Sequence, residues 1–312
     1  MIDSKTIAEK FDRDGYVLIE DIIPLEWIDR LRKEIDTILE HYDCSKACEA
    51  IFDPQCKDSR ALEYFFQAND KVSCFLEKDA WDSEQKCLKV PRKFSVNFIG
   101  NALHRCNETF REFTFQECFQ SLAKSLGLID PLVILSSIIM KNPREDSVVP
   151  PHQNATFLYS TPEPRTVDFW IPLEDATENN GCLKFIPGSH RTHPLQTRWV
   201  RSKDLNGQTK MEYIGTSTPD SLVVIDPKQL KMVPAKKGSC IMFSDLLVHC
   251  SGPNGTNQSR PAYIFNVFDQ GREVEQIDGK DNKIIKQRER QWDPLNWMQP
   301  TDQFSFQHLY SF

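Results

Sequence analysis

The sequence lacks the features that would place it among membrane, secreted or nucleic-acid-binding proteins. Its 312 residues contain no run of 18 apolar residues, so no membrane span is expected. The opening stretch MIDSKTIAEKFDRDG is charged and has no apolar core, so no signal peptide is expected. Acidic residues outnumber basic ones by 45 to 38, and the net charge of −7 argues against a nucleic-acid partner.

Internal repeats, low-complexity tracts and a glycine/serine linker are also absent from the sequence. We therefore expect a single domain over residues 1–312, which is long enough to bury a substantial core. Its expected parts are a mostly helical 1–130, which includes a cysteine-containing cover at 44–93, a β-rich core at 131–270, and a C-terminal wrap at 271–312.

The ten cysteines are those of a protein with reduced thiols, because nothing in the sequence indicates secretion. We therefore expect a cytoplasmic location. One group, His41, Cys44, Cys48 and Cys56, has the spacing H-x2-C-x3-C-x7-C. It lacks the paired C-x2-C knuckles of structural zinc sites, so we favour scattered thiols over zinc there.

Two amphipathic helices and one short strand are predicted in the N-terminal part. PLEWIDRLRKEIDTILEHY has a proline suited to a first turn and an apolar stripe at helical spacing, formed by Leu25, Ile28, Leu31, Ile35 and Ile38. FQECFQSLAKSLGL is predicted to end at Gly127, with an inward face formed by Phe115, Phe119, Leu122 and Leu126. YVLIE, after Gly15, is predicted to be a strand.

From Leu132 the sequence pattern changes to short apolar runs separated by turns. The runs include LVILSSIIM, VDFWIPL, CLKFIP, SCIMF and AYIFNVF, and the turns include ENNG, PGSH and SGPNGTNQSRP. This alternation of short apolar runs with turns favours an antiparallel sandwich or barrel over parallel βαβ units. The predicted fold class is mainly β with flanking helices (α+β).

The stretch PPHQNATFLY contains a candidate metal site. If it is a strand, His152 and Asn154 leave the same face, because alternate residues share a face. A distant histidine would complete the site, and His249 stands after the apolar run MFSDLLV. A redox iron site would want a carboxylate at position 154. His190 and His193 lie in a polar loop and are expected to be surface residues.

Several stretches together resemble the phytanoyl-CoA dioxygenase family. They are PPHQN, VHCSGPN, an arginine eleven residues after His249, and LEDATENNGCLKFIPGSH, with further similarity from FDRDGYVLIEDIIP to NWMQP. The resemblance implies a double-stranded β-helix (jelly-roll) barrel buttressed by N-terminal helices. It also implies an oxygenase that uses Fe(II) and 2-oxoglutarate, with ascorbate as an additional reductant, on a small-molecule substrate.

The resemblance also implies roles for individual residues. Two histidines and a carboxylate on one side of iron leave room for 2-oxoglutarate and dioxygen. The matching metal ligands are His152, Asn154 and His249, and the matching 2-oxoglutarate residues are Arg260, Trp170 and Lys141. Each cosubstrate residue has a plainer alternative: a surface ion pair for Arg260, ordinary core for Trp170, and a solvated strand end for Lys141.

Two departures from the family pattern leave the function open. Asn154 replaces the aspartate of His-x-Asp, and Phe98 stands where family members often carry a lysine. A neutral amide binds iron(II) more weakly than a carboxylate. One hypothesis is therefore a dioxygenase acting on a small hydrophobic or acyl substrate. The other is a pseudoenzyme that keeps the cavity for ligand binding or regulation.

Overall fold

The computed structural model describes residues 3–47, 64, 66–207, 209–216, 225–277, 284–300 and 305–310. The α-helices in this part of the chain are α1 Ser4–Asp14, α2 Leu25–His41, α3 Cys44–Ala47, α4 Leu103–Cys106, α5 Glu108–Thr114, α6 Glu117–Ser125 and α7 Ser189–Thr192. The first ten strands are β1 Tyr16–Ile19, β2 Val72–Leu76, β3 Trp81–Asp82, β4 Cys87–Leu88, β5 Val96–Asn101, β6 Pro131–Ile139, β7 Val149–His152, β8 Ser160–Thr161, β9 Thr166–Pro172 and β10 Leu183–Phe185. The others are β11 Thr197–Lys203, β12 Thr209–Gly215, β13 Lys231–Val233, β14 Cys240–Ser244, β15 His249–Ser251, β16 Ala262–Asp269, β17 Glu273–Ile277, β18 Ile284–Arg288, β19 Gln291–Trp292 and β20 Gln307–His308.

Two antiparallel sheets form the centre of the molecule. The large sheet has the strand order β1-β14-β9-β16-β6-β5-β2, and β20 also pairs with β6. The small sheet has the order β13-β10-β15-β7. Neighbours in these orders are mostly distant in sequence, as in a jelly roll, and the predicted fold class is confirmed. The two sheets are not closed into a continuous barrel by any strand pair among the described residues.

The central strands of the large sheet bury both faces, and alternation assigns each residue to one of them. On β9, Val167, Phe169 and Ile171 join the core formed with the N-terminal helices, whereas Trp170 faces the small sheet. The cluster between the two sheets consists of Trp170, Ala176, Cys182, Leu183, Phe185, Val233, Ala235, Ile241, Phe243, Leu247 and Ala262. The site described below lies among strands that contribute to this cluster.

The N-terminal helices cover the outer face of the large sheet. In α2 the buried residues are Ile28, Leu31, Ile35 and Leu39, so the predicted stripe is largely correct. Leu25, the first residue of α2, is 51% exposed, and its inclusion in the stripe was wrong. α6 ends as predicted before Gly127, whose φ of +71° is one that glycine adopts without strain.

Segments outside the two sheets form smaller pairs. β3 pairs with β4, β11 with β12, β17 with β18, and β8 with β19. The 44–93 segment also contributes β2, an end strand of the large sheet. Of the cysteine group considered for zinc, Cys48 and Cys56 lie outside the described residues, and His41 Nδ1 lies 2.8 Å from the Thr37 carbonyl oxygen. None of the described helices is long and apolar enough to cross a membrane.

Candidate metal and 2-oxoglutarate site

Two histidines face each other across the small sheet. His152 ends β7 and His249 begins β15, and the antiparallel register pairs the two residues directly. Their ring centroids are 4.2 Å apart, with the ring planes inclined by 51°. Strand pairing therefore brings together two imidazoles that are almost a hundred residues apart in the sequence.

Each of these imidazoles is oriented by a backbone carbonyl. His152 Nδ1 donates to the Pro150 oxygen at 2.9 Å, and His249 Nδ1 donates to the Leu247 oxygen at 2.8 Å. Because a carbonyl only accepts, each Nδ1 carries the proton and each Nε2 keeps its lone pair. Burial lowers the pKa of both rings, and the proximity of His152 lowers the pKa of His249 further. Both rings are thus held neutral, the form that binds metals.

Asn154 lies beside the histidines, although not on the predicted strand. β7 ends at His152, and Asn154 opens a 3₁₀ turn that continues to Thr156. The turn is fixed by the Ala155 N–H, which donates to the Asp245 carbonyl oxygen at 2.9 Å. The strand expected through residue 154 was wrong, because PPH places two prolines in an edge strand that soon turns away from the sheet.

The Asn154 amide lies near His152 and near a second buried residue, Asp168. Burial lowers the pKa of His152, and hydrogen bonds to Pro150 and Asn154 oppose that shift. Burial raises the pKa of Asp168 to about 7, against hydrogen bonds from Asn154 and Asn266. An acceptor raises the pKa of an imidazole, and a donor lowers that of a carboxyl. Asn154 is therefore a polar neighbour of both His152 and Asp168.

Asp168 was not identified from the sequence, where it stands in the apolar run VDFWIPL. Its side chain is completely buried, and its Oδ1 accepts a hydrogen bond from Asn266 Nδ2. Its Oδ2 makes no hydrogen bond of ordinary geometry to any described residue. Burying a carboxyl in a strand costs free energy unless the group is paired. The signal available in the sequence was therefore a lone aspartate within an apolar run. Asp168 shares a strand face with Trp170 and so points between the sheets.

Arg260 is buried close to the inner cluster. It is 2% exposed, and its Nη2 donates to the Gly181 carbonyl oxygen at 3.0 Å. Its Nε and Nη1 have no hydrogen-bond partner in the described part of the chain. Its guanidinium carbon lies 5.3 Å from the centre of the Trp170 ring. Burial lowers the pKa of Arg260 to about 10. Arg260 is not a surface residue, and a carboxylate would satisfy the two buried donor atoms that lack a partner.

Lys141 is a second buried cation in the same region. It is 4% exposed, and its Nζ donates to the Ser147 oxygen at 2.6 Å and to Ser251 Oγ at 2.9 Å. Burial, followed by the nearby charge of Arg260, lowers the pKa of Lys141 to about 7. Neither cation forms an ion pair with a carboxylate of the described residues. The alternative of a solvated strand end does not describe Lys141.

The other residues considered in the sequence, Phe98, His190 and His193, make contacts typical of structural residues. Phe98 is buried in an apolar cluster, with its ring centroid 5.5 Å from that of Phe75. His190 is half-buried, with Nε2 3.1 Å from the Asp12 carbonyl oxygen, and so contacts the end of α1. His193 follows α7, and its Nδ1 lies 3.0 Å from Thr192 Oγ1. Neither histidine contributes to the pair formed by His152 and His249.

The described residues contain no group of three His, Cys, Asp or Glu side chains placed to hold a metal. A three-ligand site on the histidine pair therefore has to include an oxygen of another type. The Asn154 side chain, two residues after His152 and next to it, carries an amide oxygen that would meet that requirement. The residues fit a metal, with two neutral imidazoles and one neutral oxygen as its ligands.

Comparison with models of known protein families shows which family the chain belongs to. The model of the family described as Phytanoyl-CoA dioxygenase (PhyH) matches residues 11–262. The chain belongs to the phytanoyl-CoA dioxygenase family. This membership confirms the predicted family and the predicted dioxygenase class of oxidoreductase.

Relatives within the phytanoyl-CoA dioxygenase family align over nearly the whole chain. The Phytanoyl-CoA dioxygenase domain-containing protein 1 homolog of Caenorhabditis elegans is 33% identical, covering 97% of this chain and 98% of the relative. Phytanoyl-CoA dioxygenase domain-containing protein 1 of Bos taurus is 34% identical, covering 99% of each chain. A Phytanoyl-CoA dioxygenase of Arabidopsis thaliana is 36% identical, covering 91% of this chain and 94% of the relative.

Solved structures of lower identity share the fold. The epimerase SnoN, in complex with Fe3+, α-ketoglutarate (2-oxoglutarate) and nogalamycin RO, superposes with a TM-score of 0.57 at 16% identity, covering 98% of each chain. EctD from S. alaskensis, with 2-oxoglutarate and 5-hydroxyectoine, superposes with a TM-score of 0.55 at 18% identity, covering 96% of this chain and 87% of EctD. These likenesses support the jelly-roll assignment.

Proposed function

We propose that this chain is an Fe(II)- and 2-oxoglutarate-dependent dioxygenase acting on a small hydrophobic or acyl substrate. One observation carries the proposal: the neutral, oriented pair of His152 and His249 occurs in one chain with a buried arginine whose Nε and Nη1 lack partners among the described residues. Metal ligands alone would fit many functions. Metal ligands together with a desolvated carboxylate clamp are typical of a 2-oxoglutarate site.

The metal would be held by His152 and His249 through Nε2, because Nδ1 of each ring is already used. Asn154 would supply the third protein ligand through its amide oxygen. Iron, when bound, couples the oxidative decarboxylation of 2-oxoglutarate to the oxidation of a substrate C–H bond. The protein's own contribution is to hold both rings in one tautomer, so that no reorientation is needed when the metal binds.

The 2-oxoglutarate would be held at its distal carboxylate by Arg260, with Lys141 as a second positive charge once the entering carboxylate raises its lowered pKa. Arg260 presents a planar fork of donors, whose Nε and Nη1 are unpaired in the described part of the chain. Trp170 lies under the guanidinium and restricts its rotation. Because both cations are buried, an entering carboxylate would gain more from them than from surface cations.

A small hydrophobic or acyl substrate is supported by aromatic side chains on the His152 side of the site. The Phe157 ring centroid lies 6.2 Å from that of His152, and Trp199 lies 6.1 Å beyond it. Phe157 is only partly buried, so some of this aromatic surface stays accessible next to the metal position. An apolar chain would bury area against it, whereas a highly charged group would lose solvation.

The second candidate function, a ligand-binding or regulatory pseudoenzyme, is favoured by Asn154. A neutral third ligand leaves the charge of iron(II) less compensated than the family's aspartate does. This candidate retains the binding of 2-oxoglutarate or a similar dicarboxylate through Arg260 and Lys141. It differs from the enzyme in having no turnover.

Binding and turnover assays distinguish the two functions. Titration calorimetry with Mn(II), followed by 2-oxoglutarate, measures binding, and succinate release with Fe(II), ascorbate and oxygen measures turnover without the true substrate. We expect wild-type protein to bind both ligands and to release succinate. Arg260→Leu should abolish 2-oxoglutarate binding while leaving Mn(II) binding and the unfolding temperature intact.

The matched control is Arg30→Leu, on the exposed side of α2, which should bind 2-oxoglutarate like wild type. Unchanged 2-oxoglutarate affinity in Arg260→Leu would remove Arg260 from its role. Binding of Mn(II) and 2-oxoglutarate without any succinate would favour the pseudoenzyme. Absence of Mn(II) binding would reject the dioxygenase.

A further inference from the structure

The strand that carries His152 has few backbone hydrogen bonds to hold it. β7 is an end strand of the small sheet and pairs only with β15 among the described strands. Two of its four residues are Pro150 and Pro151, which have no N–H to donate. Its pairing with β15 is also irregular, with a register shift between His249 and Ser251. Strand pairing alone therefore fixes the position of His152 only weakly.

Gln153 supplies two hydrogen bonds at this point. It is 8% exposed, and its backbone is extended, so its side chain leaves on the side opposite that of His152. Its Nε2 donates to the Leu246 carbonyl oxygen at 2.7 Å and to the His193 carbonyl oxygen at 3.0 Å. Because a carbonyl only accepts, the side-chain nitrogen must face these two oxygens, and both of its N–H groups are used. The amide thus ties the end of β7 to two other segments of backbone.

One of these bonds reaches the turn that carries the second histidine. Leu246 lies between β14 and β15, three residues before His249. The carbonyl of the next residue, Leu247, accepts from His249 Nδ1 and orients that ring. Gln153 therefore holds the carbonyl that precedes the orienting one. A shift of this turn would move the His249 ring relative to the His152 ring.

The other bond reaches the same turn through α7. His193 directly follows α7, and Ser189 Oγ at the start of α7 accepts from the Val248 N–H at 2.9 Å. The Val248 carbonyl in turn accepts from the Ile186 N–H at 3.0 Å. The segment from 186 to 193 is therefore attached to the turn before β15. Gln153 links the two histidine-bearing strands both directly and through this segment.

We propose that Gln153 is a positioning residue for the metal, whose amide fixes the separation and mutual angle of the His152 and His249 rings. It would not touch the metal. Metal–ligand distances are held to within about 0.2 Å, so an edge strand with few backbone bonds needs a further constraint. Residues that hold metal ligands in place typically change metal affinity by about 10–100-fold when they are replaced. The inference rests on the proposed metal site.

The test is Mn(II) affinity, measured by titration calorimetry on variants of the whole chain. Gln153→Met keeps the length of the side chain and removes both donors, so it should weaken Mn(II) binding about tenfold or more. The matched control is Gln120→Met on α6, because Gln120 is also 8% exposed and its Nε2 donates to the Phe115 carbonyl oxygen at 3.0 Å. The control should change Mn(II) affinity less than about twofold, since distant sites act independently.

Two further measurements separate positioning from a general loss of stability. The unfolding temperature of the metal-free protein should fall in both methionine variants, whereas Mn(II) affinity should fall only in Gln153→Met. The visible absorption of bound Co(II) depends on its ligands and their geometry, so at saturation Gln153→Met should differ from wild type and Gln120→Met should not. Gln153→Asn keeps the amide one methylene shorter and should show a smaller loss of Mn(II) affinity in the same direction.

Wild-type-like Mn(II) affinity in Gln153→Met would overturn the inference while leaving the proposed function intact. An equal loss in Gln120→Met would overturn it as well, because the effect would then follow stability rather than position. If Gln153→Met does not fold, Gln153→Asn decides in the same way against the same control. If wild type binds no Mn(II), both the inference and the proposed function are rejected.

Discussion

Lys141 is a lysine buried inside the protein, where most lysines are exposed to solvent. Burial and the charge of Arg260 lower its pKa to about 7 in the folded state, from an ordinary value of 10.5. Between these two values the unfolded chain binds a proton that the folded chain has released. Stability contributed by this group therefore rises with pH across that window, and below about pH 7 the buried ammonium imposes its full penalty.

Lys141→Met removes this penalty. At pH 6.5 the variant should therefore have a higher free energy of unfolding than wild type, and by pH 9.5 this difference should be lost. One pKa unit corresponds to about 1.4 kcal/mol, and the difference should shrink by a few kcal/mol across the window. Urea unfolding at the two pH values measures it. Lys33→Met, on the exposed face of α2, is the control. A difference independent of pH would contradict the depressed pKa.

The turn between β9 and β10 lies against both buried cations, Arg260 and Lys141. Gly181 in this turn has φ +77°, and its carbonyl accepts from Arg260. A Cβ at this position would lie 2.3 Å from Lys141 Cε and 2.6 Å from the Gly252 carbonyl oxygen. The turn therefore requires glycine both for its backbone conformation and for the space that Lys141 occupies.

Gly181→Ala should displace Lys141 and the carbonyl that orients Arg260. Because small misplacements of a binding group have large effects, 2-oxoglutarate binding should weaken about tenfold or more. Gly207→Ala is a matched control, because Gly207 has φ +78° and no atom within 4 Å of the added Cβ. Both variants carry about 1 kcal/mol of left-handed strain, so the crowding at Gly181 appears as the difference between them. Calorimetry and urea unfolding measure the two effects. Equal behaviour of the two variants would show that the turn does not constrain the cations.

At the scale of the whole molecule, the metal site joins parts that fold from distant stretches of sequence. β7 and β15 meet only when the small sheet has formed, so the unfolded chain offers no paired histidines. A ligand that binds only the folded state stabilises it by about 2.7 kcal/mol at one hundred times its dissociation constant.

Mn(II) at that excess should therefore raise the unfolding temperature by about 4 °C for a chain of 312 residues, and EDTA should reverse the rise. 2-Oxoglutarate should add a further rise only when Mn(II) is present, because its other end would bind the metal. Thermal unfolding followed by circular dichroism measures both. His249→Ala should show neither effect, and a full shift in that variant would place the metal elsewhere.

Much of the fold could be predicted because it follows from local pattern. The alternation in VDFWIPL and AYIFNVF places one set of side chains against the helices and the other between the sheets, and the structure has both sets. The stop of α6 at Gly127 follows from the left-handed conformation of that glycine. The end of β7 at His152 could not be predicted, because a single stretch does not show where its partner strand stops.

The sequence by itself determined the family and the jelly-roll class and predicted the residues of the candidate site, because these depend on residue types at recognisable spacings. Only the tertiary structure decided that Asp168 is buried with one unpaired oxygen, and that Lys141 and Arg260 are both buried without an ion-pair partner among the described residues. The physical reason is the same in each case. Segments far apart in the chain set both the strand register across β9, β14 and β16 and the burial of a side chain. Electrostatic interactions depend on the distances in space that result, rather than on sequence separation.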